Sequence, residues 1–577
     1  MHTQRPIIRR ELPGPAVLEE LADLDPVRAQ LYAARGVTSP GQLDYGLAGL
    51  APVSLLENVD AGVGLLLDKR DQRILIIGDF DVDGATSTAL MLRCLRAFGF
   101  TDVAYLVPNR FDYGYGLTPE IVRVAAEQSP ALIVTVDNGI SSVAGVQEAA
   151  ANGIQVLVTD HHLPGAELPA ADVIINPNLH GSRFPSRNLA GVGVAFYLMA
   201  ALGRQLESQG QTGAARVPAR YLDLVALGTV ADVVPLDHNN RILVQQGLSR
   251  IRSGETVAGI RALLTRSGRQ LARTVSTDLG FAAGPRINAA GRLEDISIGI
   301  ECLLTDDDDI AEQHALVLDG INRERREIEA TMREQAFASV QSLERHKWPS
   351  CVCVYEESWH QGVVGLIAAR VREMCHRPVI AFAREGDGLL KGSARSIPGV
   401  HARDLLEAVS GMHPELIVRF GGHAMAAGLT IAAESYERFA TAAAEQLDRL
   451  YPHADFSGAI ISDGALSEQA VDSWGGLLQA ARAIRDGGPW GSGFPEPVWH
   501  GDFMVLEQRT VGDKHLKLRV RPADGGKAID AIAFNQAGPA YRGIVQLAYR
   551  LDVNEFRGVE SPQLVVEQIT PLRGGTA

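Results

Sequence analysis

Four clusters of aspartate and histidine, each set against an apolar stretch, carry most of the chemistry this chain could perform. ILIIG runs into Asp79-Phe80-Asp81-Val82-Asp83-Gly84, LIVTV into Asp137-Asn138-Gly139 and IQVLVT into Asp160-His161-His162, while LDLVALGTVA delivers Asp232. Carboxylates and imidazoles are costly to gather unless something neutralises them, so four such clusters brought together by a fold predict a shared pair of divalent cations. Two ions side by side suit displacement at phosphorus, one activating water and the other steadying the leaving oxygen. Phosphoester hydrolysis is the chemistry these residues predict.

Each cluster also has a plainer reading. Asp79, Asp81 and Asp83 with Gly84 match the opening of a calcium-binding EF-hand loop. That loop needs a glutamate at its twelfth position and a helix on either side, whereas Leu90 stands there and a strand-like run precedes. Helix capping accounts for one or two of the three aspartates and leaves the third unexplained. Asp160-His161-His162 alone would pass for surface polar sequence. Beside the other clusters, His161 offers a neutral ring nitrogen to a metal, His162 lies near enough to donate to a phosphate oxygen, and Asp160 orients one ring by accepting its second N–H. Asp232 alone would be a helix-end residue.

The elements that must position these groups are legible. From about residue 71 to 235, β-rich runs (ILIIG, DVAYLV, ALIVTVD, IQVLVTD, DVIINP) alternate with helical patterns such as ATSTALMLRCLRAFG. This predicts βαβ units and a mainly parallel sheet, with ligands gathered beyond the carboxyl ends of the strands, where Asp79, Asp137 and Asp160 fall. Asp306 to Asp309 open a charged helical pattern that predicts a long connecting helix over 306–347; their acidity suits a helix N-terminus, and a solvated face explains them better than a metal site. Strand and helix patterns alternate again to about residue 450, predicting a smaller α/β domain. Short strands then follow, the pattern of a small β-barrel.

Composition narrows the class. At 577 residues the chain is long enough for several domains. It has no apolar run of bilayer-spanning length, and MHTQRPIIRREL lacks a signal-peptide core, so a cytoplasmic protein with no membrane partner is expected. The five cysteines are scattered and odd in number, which argues against a disulfide framework, and Cys351 and Cys353 alternate along an apparent strand as core residues would. The net charge of −15 argues against indiscriminate nucleic-acid binding only weakly, because metal-binding aspartates inflate the acidic count while a local basic groove can still hold phosphates.

The motifs together resemble the DHH phosphoesterase superfamily: GDFDVDGATS, VDNGI, TDHH and GTVADVVPL, then GPRINAAGRL, WHQGVVG, GSARSIPG, RFGGHAMAAG, and near the end PWGSGFPEPVW and VGDKHLKLR. The resemblance covers nearly the whole chain and is strongest to the superfamily's bacterial exonucleases that degrade single-stranded DNA from the 5′ end. It implies an N-terminal segment (1–70) packed on a DHH catalytic domain (71–305), a connecting helix (306–347), a DHH-associated α/β domain (348–452) and an OB-like single-strand-binding barrel (453–577). It also implies Asp79, Asp81, Asp83, Asp137, His161 and Asp232 as ligands of two Mn²⁺ or Mg²⁺ ions, with Asp79 and Asp83 open as to which binds directly. His162 would stabilise the scissile phosphate, and water rather than a side chain would be the nucleophile. Implied partners are single-stranded DNA, a single-stranded-DNA-binding protein and a helicase, in recombination and repair, with the chain a monomer.

On the substrate side, arginine suits recognition of a 5′-terminal phosphate because its planar fork meets phosphate oxygens bidentately. Candidates are Arg110, Arg286 with Asn288, and Ser393 with Arg395; outside their motifs each arginine would be better read as half of a surface ion pair. Gly421 and Gly422 beside His423 either bring backbone N–H groups close to phosphate or form a tight turn. Tyr113 and Tyr115 either stack on bases or pack in a glycine-rich loop. Lys514, His515, Lys517, Arg519 and Arg521 suggest a basic strand face on the barrel. Two other outcomes are a different branch of the superfamily, acting on short RNA, cyclic dinucleotides or pyrophosphate, and a non-catalytic replication factor; the first group is generally shorter, and the second loses acidic motif residues that this chain keeps.

Overall fold

The computed structural model describes residues 4–107, 116–342, 348–386 and 388–572. It forms two compact units, one of Met1–Asn288, Ile296–Leu316 and Ala459–Ala577, the other of Ala289–Asp295 and Val317–Gly458.

The first unit contains an all-parallel sheet whose strands lie in the order Val103–Leu106, Ile74–Gly78, Leu132–Val136, Gln155–Thr159, Val173–Ile175. Every residue of Ile74–Gly78 and Leu132–Val136 is buried. Central strands covered on both faces read as unbroken apolar runs, which is why ILIIG and LIVTV lack alternation. Helix Val82–Ala97 leaves the first of these strands almost at once. Gly84 permits the tight entry, because a Cβ there would sit 2.4 Å from the Asp79 carbonyl oxygen. Helices Gly191–Ser208 and Leu222–Ala231 pack against Val82–Ala97.

The same unit holds a closed barrel, in the strand order Trp499–Val511, His515–Pro522, Ile529–Ala533, Val559–Pro571, Ile544–Phe556. Along His515–Pro522 the side chains of Leu516, Leu518 and Val520 fill the barrel, while Arg519 and Arg521 are exposed and Lys517 pairs with Asp530 at 3.1 Å. The predicted period of two is therefore present. Near the N-terminus, Ile7–Arg9 pairs in parallel with Ile460–Ser462.

The second unit has a mixed sheet in the order Arg419–Gly422, Ala426–Ala432, Leu389–Arg395, Val379–Gly386, Val352–Tyr355, in which the last pair alone is parallel. Cys351 is buried in its core and Cys353 packs against it. The long helix runs from Asp308 to Gln341. Asp307 caps it, accepting from the N–H groups of Asp309 at 2.9 Å and Ile310 at 3.1 Å, and Asp306 pairs with Arg93 at 2.8 Å. The acidic run thus serves a helix start and ion pairs. Among the described residues no single helix is long and apolar enough to cross a membrane.

Candidate metal centre

The four clusters meet at the carboxyl edge of the parallel sheet. Asp79 follows strand Ile74–Gly78, Asp137 follows Leu132–Val136, Asp160 follows Gln155–Thr159, and Asp232 ends helix Leu222–Ala231. His161 Nε2 lies 3.1 Å from an Asp137 oxygen, 3.6 Å from one of Asp232 and 3.9 Å from one of Asp83. Three sets of ligand atoms each fall within 4.8 Å of one another: Asp79, Asp81 and Asp137; Asp83, His161 and Asp232; and Asp137, His161 and His162. Asp137 belongs to two of them. It adopts a left-handed backbone (φ 60°), which turns the chain sharply at the strand end.

The three aspartates after ILIIG do different work. Asp81 caps helix Val82–Ala97, accepting from the Gly84 N–H at 3.1 Å. Asp83 is buried, and its two oxygens accept from the N–H groups of Gly191 at 2.6 Å and Val192 at 2.8 Å, at the start of helix Gly191–Ser208. That helix is therefore registered against the acidic cluster by one carboxylate. Asp79 is buried and joins Asp81 and Asp137 in one ligand set.

Asp160 accepts from the backbone N–H groups of Ile140, His161 and His162 at 2.9, 2.7 and 3.0 Å, and meets Nδ1 of His162 at 2.8 Å. The ring it orients is thus that of His162. Burial alone would lower the His162 pKa, but the hydrogen bond and charge of Asp160, with Asp232 and Asp79, outweigh it and lift the imidazole to about 9. Burial would likewise raise Asp160, yet the bond and charge of His162 hold it below the usual carboxylate range. The pair is poised as imidazolium and carboxylate.

The facing carboxyls behave oppositely. Burial, then the charges of Asp83, Asp81, Asp232 and Asp79, push Asp137 well above its ordinary value. Burial with Asp83 and Asp81 does the same to Asp232. Asp83 rises to about 7, through burial and then Asp81, although its two backbone donors oppose this. Ionising these groups together is costly, and cations among them would offset that cost. Carboxylate oxygens with imidazole and no thiolate suit hard or borderline ions such as Mn²⁺ and Mg²⁺.

Several positioning residues escaped the sequence reading. Asn138 Nδ2 donates to the carbonyls of Ile77 at 3.1 Å and Val136 at 2.9 Å, tying two strand ends together. Asn176 and Asn178 hold the carbonyls of His162 and His161 at 2.9 and 2.6 Å. The asparagines in VDNGI and INPN were the available signal. Gly191 also matters, since a Cβ there would lie 2.6 Å from that of Asp137.

Among the substrate candidates, Arg286 is buried and donates from Nη1 to the Ala282 carbonyl at 2.7 Å. Asn288 Oδ1 accepts from the Val82 N–H at 3.1 Å, beside the acidic motif. In the second unit, Ser393, Gly428 and Gly421 stand in register across three strands. Arg395 donates to the Ser393 hydroxyl at 2.9 Å, and a Cβ on Gly365, in the first turn of helix Val364–Cys375, would come within 2.8 Å of its Nη2. Gly422 follows Gly421 on the same strand with φ 145°, and the His423 N–H donates to the Ala426 carbonyl at 2.8 Å. Arg110, Tyr113 and Tyr115 lie outside the described residues.

Comparison with known proteins agrees with this arrangement. Residues 73–229 match the DHH family N-terminal domain, 349–449 the DHHA1 domain and 476–568 the RecJ OB domain. The single-stranded-DNA-specific exonuclease RecJ of Salmonella typhimurium is 49% identical, covering 99% of this chain and 100% of the relative. Crystal structures of RecJ from Thermus thermophilus in complex with Mn²⁺ and with Mg²⁺ align with TM-scores of 0.82 and 0.76 at 29% and 27% identity; each alignment covers 99% of this chain, and 80% and 79% of those chains. With its sheet-edge acidic cluster, α/β second unit and terminal barrel in the same chain order, this protein belongs to the RecJ family of single-stranded-DNA-specific exonucleases.

Proposed function

We propose that this protein hydrolyses single-stranded DNA from its 5′ end, using two divalent cations, Mn²⁺ or Mg²⁺, held by Asp79, Asp81, Asp83, Asp137, His161 and Asp232. The observation that carries the reading is the pair of adjacent ligand sets, Asp79/Asp81/Asp137 and Asp83/His161/Asp232, joined where Asp137 meets His161 at 3.1 Å. When bound, such ions supply water activation and charge neutralisation at the leaving oxygen. The chain's own residues do the rest. Asp83 fixes the helix that backs the cluster, and Asp160 holds His162 by its Nδ1 beside Asp137, a placement suited to donating to a phosphate oxygen. No side chain in the cluster needs to form a covalent bond to phosphorus.

Polarity would come from the second unit. Arg395 with Ser393, and the backbone of Gly421 and Gly422 beside His423, form a polar set suited to a terminal phosphate, and we assign Arg286, Asn288, Arg110 and Tyr115 to substrate binding as well. We assign residues 71–305 to the catalytic domain with 1–70 packed on it, 306–347 to the connecting helix, 348–452 to phosphate recognition and 453–577 to single-strand binding. A monomer working beside a helicase and a single-stranded-DNA-binding protein, in recombination and repair, fits such an activity. Digestion of single- and double-stranded DNA labelled at either end, with Mn²⁺, Mg²⁺ or EDTA, tests the reading: metal-dependent loss of the single strand from its 5′ end is expected. Loss from the 3′ end, or binding without cleavage, would overturn it. Arg395→Ala should impair cleavage of 5′-phosphorylated strands more than of 5′-hydroxyl strands; equal impairment would remove Arg395 from phosphate recognition.

A further inference from the structure

The PWGSGFPEP segment that precedes the barrel is far in sequence from any ligand of the metal centre, yet it packs on the loop that leaves Asp232. That loop begins with Val233, a β-branched residue with φ 64° and two-thirds exposed, and such a conformation persists only where the surroundings impose it. Three residues on, buried Leu236 is held through both of its backbone groups. Its N–H donates to the Ser492 carbonyl at 2.7 Å, and its carbonyl accepts from Arg241 Nη1 at 2.9 Å. Ser492 sits in a closed turn in which Gly491 and Phe494 exchange backbone hydrogen bonds of 3.0 and 3.1 Å. The Arg241 guanidinium lies 4.4 Å from the ring centre of fully buried Phe494, which stacks on Trp490 at 5.1 Å. A Cβ on Gly491 would approach Leu236 Cδ1 to 2.7 Å, so the turn and the loop are in close contact.

We infer that the turn Gly491–Phe494 and the stacked Arg241 are positioning elements of the metal centre: they clamp both backbone groups of Leu236 and so fix the strained loop that aims the Asp232 carboxylate. This rests on the proposed role of Asp232 as a ligand. Arg241 is suited to the task because its planar fork can stack on Phe494 while it donates to Leu236 and, through Nη2, to the Gln42 carbonyl at 3.2 Å. Lysine keeps the charge but loses both the stack and the fork.

The test is direct Mn²⁺ binding to the full chain, read from the free-ion electron paramagnetic resonance signal, for the wild type, Arg241→Lys and Phe494→Leu, with Tm in EDTA measured alongside. The inference predicts Mn²⁺ affinity weakened roughly 10- to 100-fold, the range for residues that orient metal ligands, in Arg241→Lys. Activity should return at high Mn²⁺, and single-strand binding in EDTA should be unchanged. Should Arg241→Lys fold poorly, the milder Phe494→Leu is expected to show the same direction with a smaller change in Tm. Wild-type Mn²⁺ affinity in both variants, or a loss of activity that tracks Tm and is not recovered by Mn²⁺, would overturn it. Absence of Mn²⁺ binding by the wild type would instead defeat the metal-site reading on which it rests.

Discussion

Asp137 and His162 sit in one cluster but should fail differently when replaced. Asp137 belongs to two ligand sets and faces several other carboxylates, so Asp137→Ala removes a shared donor and should abolish cleavage together with Mn²⁺ binding. His162 is held by Asp160, with its ring centre 4.5 Å from that of His161. His162→Ala should leave most metal binding in place while lowering kcat roughly 100-fold, the usual loss for one donor to a developing negative charge. Single-turnover cleavage beside Mn²⁺ titration separates the two; cleavage at the wild-type rate in either variant would contradict its assignment. The types of residue in these clusters were legible in the sequence because their chemistry is rare at strand ends. Their division of labour was not: that both oxygens of Asp83 also accept from the N–H groups of Gly191 and Val192 depends on a contact across more than a hundred residues.

At the scale of elements, the parallel sheet was readable because its central strands are continuous apolar runs that end in aspartate, and helix Leu222–Ala231 coincides with the LDLVALGTVA pattern. What the pattern could not convey is how closely helix Gly191–Ser208 approaches the strand end at Asp137, since a glycine in sequence does not say what it leaves room for. Gly191→Ala would place a methyl 2.6 Å from the Asp137 Cβ, against backbone that is itself in a left-handed turn. Overpacking of this kind costs about 1–3 kcal/mol. Urea unfolding should register that loss, and Mn²⁺ affinity should fall with it because the displaced residue is a ligand candidate. An unchanged unfolding midpoint would show that the helix can retreat without cost.

At the scale of the whole molecule, the metal-free cluster should tie stability to pH. His162 holds its proton more tightly folded than unfolded, so its contribution is complete below its ordinary 6.5 and is lost as pH rises through about 9. Asp137 and Asp232 are also raised, which for a carboxyl is a penalty that grows once pH passes the ordinary 3.8 and the folded chain must ionise them. All three groups lower the stability of the metal-free fold toward alkaline pH, and cations that take the place of protons restore it. The rise in Tm on adding Mn²⁺ should therefore be larger at about pH 8.5 than at about pH 6, as expected when binding displaces protons from ligands. Equal shifts at both would indicate that the ions bind elsewhere. The barrel's place in this scheme was only half visible beforehand: alternation along HLKLRVRP marked its strands, whereas the packing of PWGSGFPEP on the Asp232 loop joins segments more than two hundred residues apart and leaves no local pattern.

The measurement that bears most directly on the central claim is anomalous diffraction at the manganese edge from crystals of the full chain soaked in Mn²⁺. Two peaks about 4 Å apart are expected, as in two-ion phosphoryl-transfer sites. One should lie among Asp79, Asp81 and Asp137 and the other among Asp83, His161 and Asp232, with both lost in Asp137→Ala crystals. A single peak, or peaks away from these residues, would contradict it.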